Sequence, residues 1–393
     1  RLSQLSSQFS DHLLDATQAF VHPLSAEECA GLPESSLGML RQLGEARGFQ
    51  QPVVTLDGPA YLAIMTYAEH RPLREMVYRA YVTRASEWGP AEQDNGPLME
   101  EILALRLEMA QLLGFDSYAA LSLATKMAPD VSAVTEFLES LANRARPFAL
   151  KDLERLKQEA TTLGLTTVEP WDSAFLAERI KQREFSLSQE SLKPYFPSPI
   201  VLSGLFAIVK KLYGIQIVEC EAPVWHPLVQ YFEIHENGHL LGGFYFDLYA
   251  RSDKRGGAWM SGYRSRMETE NGTQLPLAFM IGNFAPPVGD QPAQLSHDEL
   301  VTLFHEFGHG LHHLLTEIAV LPVAGIHGVA WDAVELPSQF MEFWTWENEA
   351  LGMISRHVHS GDTLPAEQLS ALQAARHFQS GLQALRQLEF ALF

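Results

Sequence analysis

The chain has 393 residues, 46% hydrophobic and 19% charged, a balance that buries a sizeable core and excludes intrinsic disorder. Its 48 acidic and 28 basic residues give a formal net charge of −20, which repels a phosphate backbone and argues against nucleic acid as a partner. The apolar runs fall short of the ~20 residues that span a bilayer, and Cys29 and Cys220 are too few for a disulfide framework, so no membrane and a reducing compartment are expected.

Residues 1–20 are amphipathic and lack the apolar core of a signal peptide. The chain starts with Arg1 rather than Met, so its natural N-terminus is expected upstream. Residues 98–113 repeat apolar positions at three- and four-residue spacing and meet Gly114 as a stop, which predicts a helix. Residues 131–163 predict one long helix or two, with mixed charges on one side and Leu, Val and Phe on the other. Residues 229–250 carry two aromatic and β-branched runs around Asn237-Gly238. Both central residues tolerate positive φ, so a hairpin is predicted, and with it a small antiparallel sheet inside a mainly α fold.

Beyond Gly256-Gly257 and the stretch Pro286 to Pro292, Ser296 and Glu299 form a capping-box pattern that opens an apolar-periodic helix. Leu300, Leu303, Phe304, Phe307, Leu311 and Leu314 supply its buried stripe. Gly325 to Gly328 reads as a loop that turns the chain back. Trp331 to Gln339 then opens another helix, with Pro337 in the first turn, where a missing N–H matters little. Residues 365–393 are again helical in pattern, and no repeat or low-complexity linker interrupts the chain.

The first of these late helices carries the chemistry. Residues 305–309 read His-Glu-Phe-Gly-His. Histidines at i and i+4 share a helix face about 6 Å apart along the axis, so both imidazoles reach one ion at about 2.0–2.1 Å. Glu306 stands beside the ion, where it can take a proton from activated water. The bland alternative is a surface helix with two solvated histidines, and 15 histidines in the chain make a chance match conceivable. Gly308 sits in a helix interior at a cost of about 1 kcal/mol relative to Ala, which suggests close approach of a second backbone.

A tetrahedral catalytic zinc takes a third protein ligand and keeps one open position. His312 lies seven residues beyond His305, a rise of about 10.5 Å, so it suits packing better than ligation. Glu335 is the better candidate, with Ser338 or Glu342 on the same face placed to orient a ligating histidine. The flanking Trp331, Phe340, Phe343 and Trp344 predict that Glu335 is buried, where a lone carboxylate would be costly. Cys29 and Cys220 are expected to be buried and inert.

Residues 296–316 (SHDELVTLFHEFGHGLHHLLT) and 331–344 (WDAVELPSQFMEFW) resemble the thimet oligopeptidase family of zinc metallopeptidases. The likeness extends to Leu56 to Pro59, to Met99 to Arg106 and to Tyr245 to Arg251 with Lys254 to Gly257, and so covers most of the chain. It implies a mainly α, multi-helical, two-lobed zincin-type fold with a deep narrow channel. One Zn2+ would be held by His305, His309 and Glu335, with Glu306 as base. Gly325, His327 and Gly328 match a glycine loop near the substrate backbone. The resemblance also implies a cytoplasmic monomer that hydrolyses short unstructured peptides, including signal-peptide fragments. Residues 1–55 would end an N-terminal helical region and 56–393 would form the catalytic domain. In the family the chain runs on past the equivalent of Phe393 and supplies a histidine and tyrosines to the oxyanion, so this sequence is expected to be part of a longer protein. The alternatives are a dipeptidyl carboxypeptidase of the same family and a zinc-containing peptide-binding fragment without turnover.

Overall fold

A computed structural model describes residues 1–393. The fold is mainly α, with small sheets, and the chain forms two compact units. One comprises residues 1–186 and 374–393, the other residues 187–373. Neither unit begins at residue 56.

The first unit is helical apart from a two-stranded ribbon pairing Val21–Pro23 with Val53–Thr55. Its longest element is the helix Val131–Thr162, which is single and continues through Pro147. The helix Ser380–Leu392 lies against it, and Gly381 makes that possible, since a Cβ there would meet the Ala149 backbone N at 2.5 Å. Residues 365–393 hold two helices, Ala366–Ala374 and Ser380–Leu392, and Gln379, at φ 55°, directly precedes the second. Leu156, Ala160, Phe175, Leu176 and Ile180 make an apolar core. The fully buried Asp172 accepts from Arg71 at 2.7 Å and from the buried Arg74 at 2.9 Å, so that each buried charge has its partner.

The second unit is built on a five-stranded sheet. Its strands in chain order are β1 (Gln216–Cys220), β2 (Gln230–Glu236), β3 (His239–Tyr249), β4 (Trp259–Arg264) and β5 (Leu277–Phe284). The spatial order is β1-β2-β3-β5-β4. Asn237 and Gly238, at φ 50° and 82°, turn β2 into β3. The sheet is not wholly antiparallel: β3 and β5 run parallel, with Phe246 opposite Met280. β4 then lies outside β5 as an edge.

Among the helices of this unit, three position the site: α1 (Ser198–Tyr213), α2 (His297–Leu314) and α3 (Leu336–Glu342). Phe244 and Phe246, two apart on β3, point to the same face, as strand periodicity requires. They pack with Phe206 of α1 and Phe307 of α2, which seats α2 on the sheet. On β3 the buried Asp247 accepts from the Trp225 indole at 3.0 Å, from Arg251 Nη1 at 2.6 Å and from Lys254 Nζ at 2.8 Å. Burial alone would push that carboxyl up, but these three donors bring it down to about 2. The knot pins the loop that leads into β4. Cys29 and Cys220 are both partly exposed free thiols rather than buried ones.

Candidate active site

Helix α2 starts where its capping box closes: the Glu299 N–H donates to Ser296 Oγ at 3.2 Å and the Ser296 N–H to Glu299 Oε2 at 2.8 Å. The stripe from Leu300 to Leu314 is buried throughout. Burial of that stripe fixes the rotation of the helix, and so fixes where its histidines point.

Gly308 lets a second helix come close. A Cβ at Gly308 would lie 2.5 Å from both the Pro337 carbonyl oxygen and Ser338 Cα, so α3 crosses α2 backbone to backbone. Glu335 is the N-cap of α3 and Pro337 lies in its first turn. The crossing sets Glu335 over the two imidazoles, with Oε2 3.2 Å from His305 Nε2 and 3.1 Å from His309 Nε2. The ligand atoms of His305, His309 and Glu335 all lie within 4.8 Å of one another.

Two neighbours orient this group. Glu342 Oε1 accepts from His305 Nδ1 at 2.6 Å. Ser338 Oγ lies 2.8 Å from Glu335 Oε2 and 2.9 Å from the Glu335 carbonyl, and so donates to that residue rather than to a histidine. The expected burial of Glu335 is not found: its side chain is 52% exposed, and Trp331, Phe340 and Phe343 are exposed. The inward positions of this segment are Val334, Ser338, Met341 and Thr345. Their helical spacing turns the aromatic residues outward. His312 takes no part in the cluster. It is partly buried, and burial pushes its imidazole below the ordinary value.

The donor set suits a metal ion. His305 gives its Nδ1 hydrogen to Glu342, which leaves a lone pair on Nε2 facing a carboxylate oxygen. Two acceptors at that distance repel unless a proton or a cation lies between them. Burial pushes His309 below its ordinary value, with Glu335 pulling the other way, and the resulting neutral imidazole is the form that binds a cation.

Glu306 follows His305 on α2. Burial pushes its carboxyl above the ordinary value, against the opposing pull of His305 and of the Met260 backbone N–H. Met260 belongs to β4, so the edge of the sheet runs beside Glu306. β4 has a strand partner on one side only, and residues Ser261 to Arg264 are exposed.

Gly325, His327 and Gly328 lie in a short 3-10 turn, Gly325–Gly328. The structure places this turn against His313, one turn beyond His309, and gives it no bond to the ligand group. Gly325 has φ +59° and would carry a Cβ 2.9 Å from His313 Nδ1. The ring of His327 lies 6.0 Å from that of His313. The Met260 amide and His313 are the two features of this region that motif reading misses. The Met260 contact depends on a non-local strand and leaves no trace in the sequence. His313 continues the series 305, 309, 313 along α2, and that spacing was the available signal.

A sequence profile of the family described as Peptidase family M3 matches residues 64–393. The whole chain aligns over 400 residues with Oligopeptidase A of Salmonella typhimurium at 51% identity, covering 59% of that protein. Oligopeptidase A of Escherichia coli matches at the same identity and coverage, 51% and 59%. The Dipeptidyl carboxypeptidase of Escherichia coli is 32% identical over 99% of this chain and 57% of its own length. The chain thus spans about 59% of the length of these two curated Oligopeptidase A relatives.

Proposed function

We propose, from the premise that this chain belongs to peptidase family M3, that it is the metal-bearing part of a zinc-dependent oligopeptidase that cleaves short unstructured peptides internally. The observation that carries the reading is the convergence of His305, His309 and Glu335 beside Glu306, at an open sheet edge. Two imidazoles and a carboxylate are a catalytic zinc donor set. Bound there, zinc supplies Lewis acidity, which polarises the scissile carbonyl and makes water acidic enough to deprotonate near neutral pH.

The chain's own residues do the rest. Glu306 takes the proton of the attacking water and passes it to the leaving amine, so the peptide C–N bond breaks as the new C–O bond forms. The rise in its proton affinity on burial matches that task. Glu342 and Ser338 hold a ligand histidine and the ligand carboxylate in place. The free edge of β4 pairs with an extended peptide backbone, which explains a preference for unstructured segments. No helix of the structure is long and apolar enough to cross a membrane. From the family likeness we take the protein to be a cytoplasmic enzyme that acts as a monomer on short peptides, signal-peptide fragments among them.

The test is hydrolysis of an internally quenched peptide blocked at both ends, with and without a chelator. The full-length protein and this chain alone are assayed side by side. Chelator-sensitive cleavage by the full-length protein supports an endopeptidase. Cleavage only when the C-terminus is free moves the reading to a dipeptidyl carboxypeptidase. Metal binding by this chain without turnover identifies it as a peptide-binding part that needs the remainder of the protein.

A further inference from the structure

His313 is fully buried at the end of α2, and the ligand group does not use it. Its Nε2 donates to the Arg264 carbonyl at the end of β4, at 2.9 Å. On the same strand, a Cβ at Gly262 would lie 2.8 Å from His313 Cε1, so the strand backbone rests directly on the imidazole. From the other side Gly325 approaches the ring equally closely, and His327 meets it edge to face at 86°. One side chain, anchored to the helix that carries His305 and His309, therefore touches both the sheet edge and the glycine turn. Met260, four residues before Arg264 on β4, presents its amide to Glu306.

We infer that His313 is a positioning residue that sets β4 and the Gly325–Gly328 turn at the right distance from the metal-bearing helix for a bound peptide backbone. This rests on the reading of β4 as the peptide-binding edge. The imidazole acts through the strand and the turn and does not touch the reacting atoms. Losing its N–H takes away the side-chain hydrogen bond to the Arg264 carbonyl and frees the end of β4 to shift. A peptide held by that edge then loses alignment, whereas His305, His309 and Glu335 stay together through α2 and α3.

The experiment is steady-state cleavage of the doubly blocked quenched peptide by the full-length protein as wild type, His313→Gln and His313→Leu, with bound metal measured in each. Gln can return an N–H donor to the Arg264 carbonyl, whereas Leu keeps bulk without a donor. The expected result is a KM raised about tenfold in the Leu variant, with kcat within about threefold and metal content unchanged. Gln stays within about threefold of wild type throughout. A Leu variant with wild-type KM overturns the inference, and so does one that loses metal and kcat together. Should the Leu variant fail to fold, Gly262→Ala carries the test, since its methyl pushes on the same ring from the strand side. A raised KM with metal retained supports the inference, and an unchanged KM overturns it. An inactive wild type would overturn the functional reading itself; an active wild type indifferent to these changes overturns only the role of His313.

Discussion

Gly308 and Ser338 meet backbone to backbone: a Cβ on the glycine would stand 2.5 Å from the serine Cα. This contact brings a carboxylate at the start of one helix over two imidazoles of another. Gly308→Ala is expected to force the helices apart and to destabilise the fold by about 1–3 kcal/mol, the usual range for overpacking. It should also weaken metal binding, since Glu335 moves with α3. Thermal melts and a metal titration of the variant check both effects. An unchanged melt with full metal affinity would contradict the crossing described here.

Glu306→Gln removes the proton acceptor and keeps the shape. Bound metal should stay at the wild-type level while kcat/KM falls by about 10²–10⁴, the typical worth of a positioned general base. Elemental analysis beside peptide cleavage separates this from simple loss of the ion. Full activity in the variant would remove Glu306 from the proposed role.

His309→Ala and Glu335→Ala each take away a ligand and should release the metal. Glu342→Gln keeps all three ligands but weakens the acceptor that fixes the His305 ring. It should bind metal about 10–100-fold more weakly than wild type. A competition titration against a chelator reads all three variants on one scale. Equal affinity in Glu342→Gln and wild type would show that the 2.6 Å contact has no part in holding the ion.

Much of this arrangement could be read from local sequence, and the reasons it could are physical. A capping box and a hairpin turn are decided within a few residues, so Ser296, Glu299 and Asn237-Gly238 announced α2 and the β2–β3 turn. A cost accepted at Gly308 pointed to a neighbour, and the neighbour is Ser338. What stayed hidden depends on contacts between distant segments. The parallel pairing of β3 with β5 joins strands separated by a loop, β4 and the two-stranded ribbon of Met267–Thr269 with Gly272–Gln274, and no periodicity encodes it. Aromatic residues around Glu335 were a false guide to burial, because side-chain type does not say which face of a short helix looks inward. The approach of Gly262 and Gly325 to His313 comes from three separate segments, so none of them carries the signal alone.

Asp247 gives a prediction in acid. Its carboxyl is held at about 2 in the folded chain, against an ordinary 3.8. The stability it contributes is therefore complete above about pH 4 and is lost as the pH falls through about 2, amounting to about 2 kcal/mol. Asp247→Asn should be less stable than wild type at neutral pH, with the gap closing between about pH 4 and 2. Melting temperatures across that range test it, and parallel curves for the two proteins would deny the knot its role.

The register of β4 against β5 slips between Gly262 and Arg264, and this has a meaning for colloidal behaviour. An unpaired strand is a template on which a second copy of a protein can zip up into an aggregate. A six-residue strand that slips near its end offers only a few consecutive main-chain groups in line. Such a patch is too short to nucleate a growing ribbon of identical chains.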